Sequence, residues 1–252
     1  THAVLTAIAR TGAEIPPVAL LPGGTMNTVA RGVGVRGSGL AVLQRVVGAG
    51  GRPVSQVERT LLRVRDPASP GQDQYGFLFG NGLIANYLQA YYEGSEPTPA
   101  KALWVLARGV AQAFVGGAFF RQLMRPVTLE GEADGAHWER RSWLAIGAGT
   151  VDDIGFGFRP FALAPRHPGH LHALGIACPP LAFVFELPRI RLARPPRHPD
   201  IRSAVVRRLV LRGEGAQAFM VDGDFCTAGA EIAVRSEEHT SELQSQFRIS
   251  YA

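Results

Sequence analysis

Up to about residue 53 the apolar positions of this chain recur at helical spacing, and beyond it they come in short runs. Val4, Leu5, Ile8 and Ala9 lie one turn apart and predict a helix over 1–10. Residues 18–21 are a brief apolar run, Pro22-Gly23-Gly24 must turn, and 25–31 open with small polar residues, so the stretch reads as strand, tight loop and helix. Another amphipathic helix is expected over 40–47, closed by the glycines and proline of 48–53. Residues 54–64 alternate enough for one strand, and the domain boundary is placed there. After it come β-like runs at 75–79, 126–130, 138–148, 172–177, 204–212, 218–221 and 231–234, separated by Gly- and Pro-rich loops. Helical material interrupts them at 83–92 and 100–120. The fold class is therefore α/β followed by β: an α/β part over 1–53, then a mostly antiparallel β-sandwich with a helical insertion over 54–234.

Two stretches carry candidate chemistry. At the glycine turn, Gly23 and Gly24 let the backbone approach a ligand. Thr25, Asn27 and the free N–H groups of the helix start supply donors where the helix dipole favours an anion. The bland reading is a strand-to-helix turn capped by Thr25 or Asn27. In the run from Met220 to Phe225, strand alternation puts Asp222 and Asp224 on one side unless Gly223 bends the chain. Such a pair can hold Mg²⁺ or divide metal binding from proton acceptance. Asp-Gly is equally a hairpin-turn dipeptide. Gly32 to Gly37 matches G-x-G-x-x-G but follows a helix, the opposite of a dinucleotide site. His167, His170 and His172 match no standard zinc spacing and read as a solvated loop before a metal site. No Walker-type P-loop, protein-kinase signature or G-x-S-x-G is present.

Pro22-Gly23-Gly24-Thr25-Met26-Asn27-Thr28-Val29-Ala30 resembles the P-x-G-T-x-N-x-x-A segment of the diacylglycerol kinase catalytic-domain family. That family includes bacterial lipid kinases and sphingosine kinases and is distantly related to NAD kinases and phosphofructokinases. The resemblance implies an ATP- and Mg²⁺-dependent lipid kinase moving the γ-phosphoryl group to a lipid hydroxyl. Pro22, Gly23, Gly24, Thr25 and Asn27 would hold the nucleotide phosphates, and 1–53 would be the remainder of a nucleotide-binding domain. Thr1 stands where the family's G-G-D-G-T loop would end, so the chain is expected to lack the rest of that loop and to be inactive as it stands. Asp222-Gly223-Asp224 takes the place of D-G-E, with Asp222 organising metal or nucleotide and Asp224 accepting the hydroxyl proton. Residues 77–87 resemble the family's N-x-x-x-x-G-F-D-A junction with Asn86 in place of the acid. Residues 145–160 resemble its glycine-rich segment, but Arg166-His167-Pro168-Gly169 replaces the acidic D-D-G, which puts a metal site there in doubt. An NAD-kinase-like enzyme and a non-catalytic nucleotide- or lipid-binding protein are the alternatives.

Composition narrows the partners. The chain has 252 residues, 46% hydrophobic, enough for a packed core. Its net charge of +5 is almost wholly arginine. A basic, proline-broken stretch over 189–202 suits a solvated loop first, contact with an anionic membrane surface next, and nucleic acid last, because no aromatic interleaving accompanies it. Trp104, Phe114, Phe119 and Phe120 read as core before lipid groove. Two cysteines make no disulfide framework, so a reducing, cytoplasmic setting with peripheral membrane contact is expected, and a homodimer is allowed. Residues 235–252 are expected to be a non-native tail, since 235–245 resemble a translated sequencing adapter.

Overall fold

The computed structural model describes residues 2–12, 16–24, 27–48, 55–94, 96, 98–113, 116–237 and 247–251, with 55–57, 113 and 247–251 through their backbone. Thr1, Thr25 and Phe114 lie outside the described residues. In chain order the elements are α1 (His2–Arg10), α2 (Thr28–Gly32), α3 (Gly39–Gly48), β1 (Ser55–Arg59), β2 (Leu61–Arg65), β3 (Gln74–Gly76) and β4 (Leu78–Gly82). Next come α4 (Leu83–Tyr92), α5 (Pro99–Ala113), α6 (Ala118–Leu123), β5 (Val127–Ala133), β6 (Ala136–Trp143), β7 (Ala145–Gly149), β8 (Leu171–Ile176) and α7 (Pro180–Arg191). The chain closes with β9 (Ile201–Val206), β10 (Arg208–Arg212), β11 (Gln217–Val221), β12 (Asp224–Ala228), β13 (Glu231–Glu237) and β14 (Phe247–Tyr251).

An outer six-stranded sheet has the order β3-β2-β13-β10-β5-β6, and an inner one β12-β11-β4-β7-β8-β9; every pairing among the described residues of the two sheets is antiparallel. β1 and β14 pair as a separate ribbon. The inner sheet is the middle of three layers, which is why β4, β7 and β8 are buried along their whole length. Alternate side chains leave it in opposite directions. Phe79, Ile146 and Leu171 join Leu209, Phe219 and Ile232 between the sheets. Leu78, Ala145 and Leu174 join Leu5, Val29 and Val42 of the three N-terminal helices and Phe183 of α7 on the other face.

The predicted strand over 138–148 is two strands in different sheets, β6 and β7, parted by Leu144 alone. The run 204–212 crosses at Arg207 and 75–79 at Phe77. Residues 54–64 likewise divide at Thr60, between the ribbon and the outer sheet. Alternation does not register these passages because both halves face a core. The predicted helix over 100–120 is broken into α5 and α6, with Gly116 at φ 62. Residues 18–21 make only an isolated bridge at Val18, after Pro16-Pro17 has removed two backbone donors.

A crossing pulls backbone N–H groups out of the ladder, and each must find another acceptor. At the Phe77 crossing both Phe77 N–H and Leu78 N–H donate to Asp222 Oδ1, each at 2.9 Å. At the Arg207 crossing Arg207 N–H donates to Asp134 Oδ2 at 2.8 Å and Arg208 N–H to Asp134 Oδ1 at 2.7 Å. Both aspartates open an Asp-Gly hairpin turn. Their φ values are 46 and 84 for Asp134-Gly135 and 51 and 97 for Asp222-Gly223, the left-handed pair that a two-residue hairpin of matching twist requires. The fold uses one device twice.

Candidate active site

The tip of the β11–β12 hairpin brings the C-terminal acids back to the beginning of the chain. The turn between Val221 and Asp224 separates the two carboxylates that strand alternation would have placed together. Asp222 is half-buried and turns inward; its Oδ2, shielded from solvent, has no hydrogen-bond partner, and a Cβ built on Gly76 would lie 2.8 Å from it. Burial pushes its carboxyl up to about 6, against the pull of the Phe77 and Leu78 amides and of His2. Asp224 turns outward, its side chain 57% exposed.

The free oxygen of Asp222 is shielded from solvent. Among the described residues no group of three or more His, Cys, Asp and Glu could hold a metal ion. Through the Phe77 and Leu78 amides Asp222 pins a sheet crossing.

Asp224 has a partner that no motif announces. His2, on the buried stripe of α1 with Leu5, Thr6 and Ala9, places Nδ1 2.8 Å from Asp224 Oδ2 and Nε2 2.9 Å from Gln74 Oε1. The helix is bolted to β3 along one face. His2, Thr6 and Arg10 are one turn apart; Tyr75 N–H donates to Thr6 Oγ1 at 2.9 Å and Arg10 Nε donates to Asp73 O at 3.1 Å. Asp73 is itself clamped by Arg63 and Arg65. Burial works to raise its carboxyl, and the two guanidinium groups overcome that and hold it below its ordinary range. The signal in the sequence was a histidine on an otherwise apolar helical stripe.

The glycine turn is exposed at Gly23 and Gly24. Asn27, at φ 49, makes no cap bond to α2; its Oδ1 instead accepts the Gly24 N–H at 2.8 Å and closes the loop on itself. Pro22 packs under the start of α3, where a Cβ on Gly39 would meet Pro22 O at 3.1 Å.

A groove of about 850 Å³ opens between α4, α5 and α6. Trp104, Val105 and Phe119 wall it, with Lys101, Arg108 and Glu93 at its polar positions. Trp104 is 56% exposed, whereas Phe120 is core. Arg108 lies over the Trp104 ring at 5.0 Å and the Phe119 ring at 4.2 Å from their centroids. The groove adjoins the hairpin: α4 ends at Tyr92, whose OH donates to Gly223 O at 3.3 Å, and the next residue is Glu93. Asn86, in place of the expected acid, donates to Leu123 O and Arg125 O and ties down the end of α6.

The remaining candidates resolve into structure. His167 is exposed and His170 half-buried, while His172 is buried, its Nε2 2.8 Å from Ser203 Oγ, and Leu163 N–H donates to its Nδ1 at 3.4 Å. That donation puts the ring proton on Nε2, so the ring cannot take one from Ser203 and the pair is not a nucleophile and base. Within 189–202, Arg189 donates to Pro195 O and Arg191 to Phe156 O.

No protein-family model and no curated protein matches the chain. Solved structures do. Two crystal structures from Bacillus anthracis str. Sterne, provisionally assigned as diacylglycerol kinases, superpose with TM-scores of 0.64 and 0.63 at 15% and 13% identity. The matches cover 98% of this chain in both cases, and 73% and 74% of theirs. A third structure, described as a diacylglycerol kinase of the same organism, has a TM-score of 0.56 at 13% identity over 94% of this chain and 67% of that one. At such identities the likeness establishes a shared fold.

Proposed function

We propose that this chain, built on the fold of those bacterial structures, is a lipid kinase that transfers the γ-phosphoryl group of ATP to a lipid hydroxyl. The observation that carries the reading is the position of Asp224: an exposed carboxylate on a hairpin whose tip touches the helix that ends beside an aromatic, cation-bearing groove. An acyl chain suits Trp104 and Phe119, and the phosphate gained by the product suits Arg108 and Lys101. That juxtaposition supports a lipid acceptor over NAD.

Mg²⁺ enters with the nucleotide, as part of the substrate. Of the residues Pro22, Gly23, Gly24, Thr25 and Asn27, with Thr1, Gly23 holds its phosphates through the backbone N–H and Thr1, Thr25 and Asn27 through their side chains, while Pro22 and Gly24 shape the turn. The Asp224 carboxylate takes the proton of the attacking hydroxyl as the oxygen bonds to the γ-phosphorus, ADP leaves, and the proton passes from Asp224 to water. Asp222 holds the hairpin in place.

The test supplies [γ-³²P]ATP and Mg²⁺ to the chain extended upstream by Gly-Gly-Asp-Gly, with 1,2-dioctanoylglycerol or sphingosine in mixed micelles, and with NAD. Label in a lipid is expected, and Asp224→Asn lowers kcat by about 100-fold or more. Label in NAD alone overturns the lipid reading. Binding of ATP without transfer to any acceptor supports the other reading, a nucleotide-binding protein without turnover, which Arg166 to Gly169 in place of acids favours.

A further inference from the structure

We infer that His2 is a positioning residue for phosphoryl transfer, fixing the Asp224 carboxylate from behind so that its second oxygen faces the acceptor hydroxyl. The inference rests on the proposed role of Asp224 and deepens it. The contact joins residues 222 positions apart. The ring side chain is 9% exposed and the carboxylate 57%, so the bond runs from the interior outward to a group that meets solvent. Asp224 Oδ2 takes the ring N–H, and Oδ1 accepts nothing from the described residues.

The ring cannot swing. Gln74 Nε2 donates to Gln72 O at 3.0 Å, which turns Gln74 Oε1 toward His2 Nε2. Both ring nitrogens are therefore engaged by fixed partners, Asp224 Oδ2 at 2.8 Å and Gln74 Oε1 at 2.9 Å. The proton of the acceptor is left to Asp224 Oδ1. Gln74 also shares β3 with Tyr75, which holds Thr6 of the same helix, so the ring is located by the helix, the strand and the hairpin together.

Asp224 is one methylene shorter than the Glu of the D-G-E segment that it resembles. Where reach is limited, a fixed direction has to replace it, and misplacement by about 1 Å costs on the order of 100-fold in rate. His2 and Gln74 supply that direction, and neither touches the reacting atoms.

The experiment measures kcat, KM for ATP and thermal midpoint for the chain extended upstream by Gly-Gly-Asp-Gly, as wild type, His2→Ala and His2→Asn, with dioctanoylglycerol and sphingosine micelles as acceptors. Asn is the conservative variant because its Nδ2 stands as many bonds from the backbone as His Nδ1. The expected result is a kcat about 10- to 100-fold lower in His2→Ala with KM for ATP within about twofold, and recovery of most of the loss in His2→Asn. A His2→Ala enzyme as fast as wild type overturns the inference while leaving the kinase reading intact. So does an equal loss in both variants that tracks a common fall in thermal midpoint, the mark of a clamp that only holds the fold. If wild type transfers phosphoryl to neither lipid, the kinase reading itself has failed and the positioning role falls with it.

Discussion

Asp222, half-buried, and His172, buried, are titratable side chains whose contributions to stability run in opposite directions over the same pH range. A carboxyl in the unfolded chain takes its proton near 3.8, but native Asp222 does so at about 6. Between those values the native state holds more protons, so stability falls as pH rises from about 4 to about 6. For His172 burial lowers the ring from 6.5 to about 4; the unfolded state then holds more protons and stability falls as pH drops through that window. Each is worth about 3 kcal/mol. Compared by urea denaturation between pH 4 and 7, Asp222→Asn is expected to lose more stability in acid than wild type. His172→Gln is expected to lose less, or to gain. Equal slopes in all three would refute both assignments. The sequence singled out Asp222, Asp224 and the glycine turn, because acids and glycines at close spacing are visible locally. It did not single out His2, whose meaning comes from Asp224 and Gln74, residues brought to it by the fold.

Among elements, the helices and most strand segments were legible from periodicity: α1, α3 and α4 lie where the spacing of apolar residues put them. The passages between sheets were not, since a strand that changes sheets at one residue keeps its alternation and its burial. Two Asp-Gly dipeptides were the local sign, but their second task, taking the amides set free at a crossing, needs the partner strand to be known. The junction of β4 and α4 shows what such a passage demands. Gly82 has φ 65, and a Cβ there would sit 2.6 Å from Leu144 O, at the point where Leu83 N–H donates to that same oxygen. Gly82→Ala is expected to destabilise by about 3 kcal/mol. Gly215→Ala, where nothing lies within 4 Å of the added carbon, is expected to change stability by less than about 0.5 kcal/mol. Denaturation midpoints of the two variants decide it.

At the scale of the molecule, three layers set the division of labour. The outer layer shields, the middle sheet carries the hairpin, and the helices supply the groove and the glycine turn. No helix among the described residues is long and apolar enough to cross a membrane. Trp104→Ala is expected to raise KM for dioctanoylglycerol by about 10-fold and to leave KM for ATP within about twofold, checked in the same micelle assay. The sandwich class was readable because spaced β-like runs between Gly and Pro loops have few other solutions. The three-layer order was not, because nothing in a fully buried run says which face meets a helix and which meets a sheet. One consequence follows from the places where the backbone steps from sheet to sheet at Phe77, Leu144 and Arg207. No slack exists there for a protease to enter, and neither sheet is able to peel away without dragging its neighbour. Amide protons in the central strands of both are then expected to be lost to deuterium in one event.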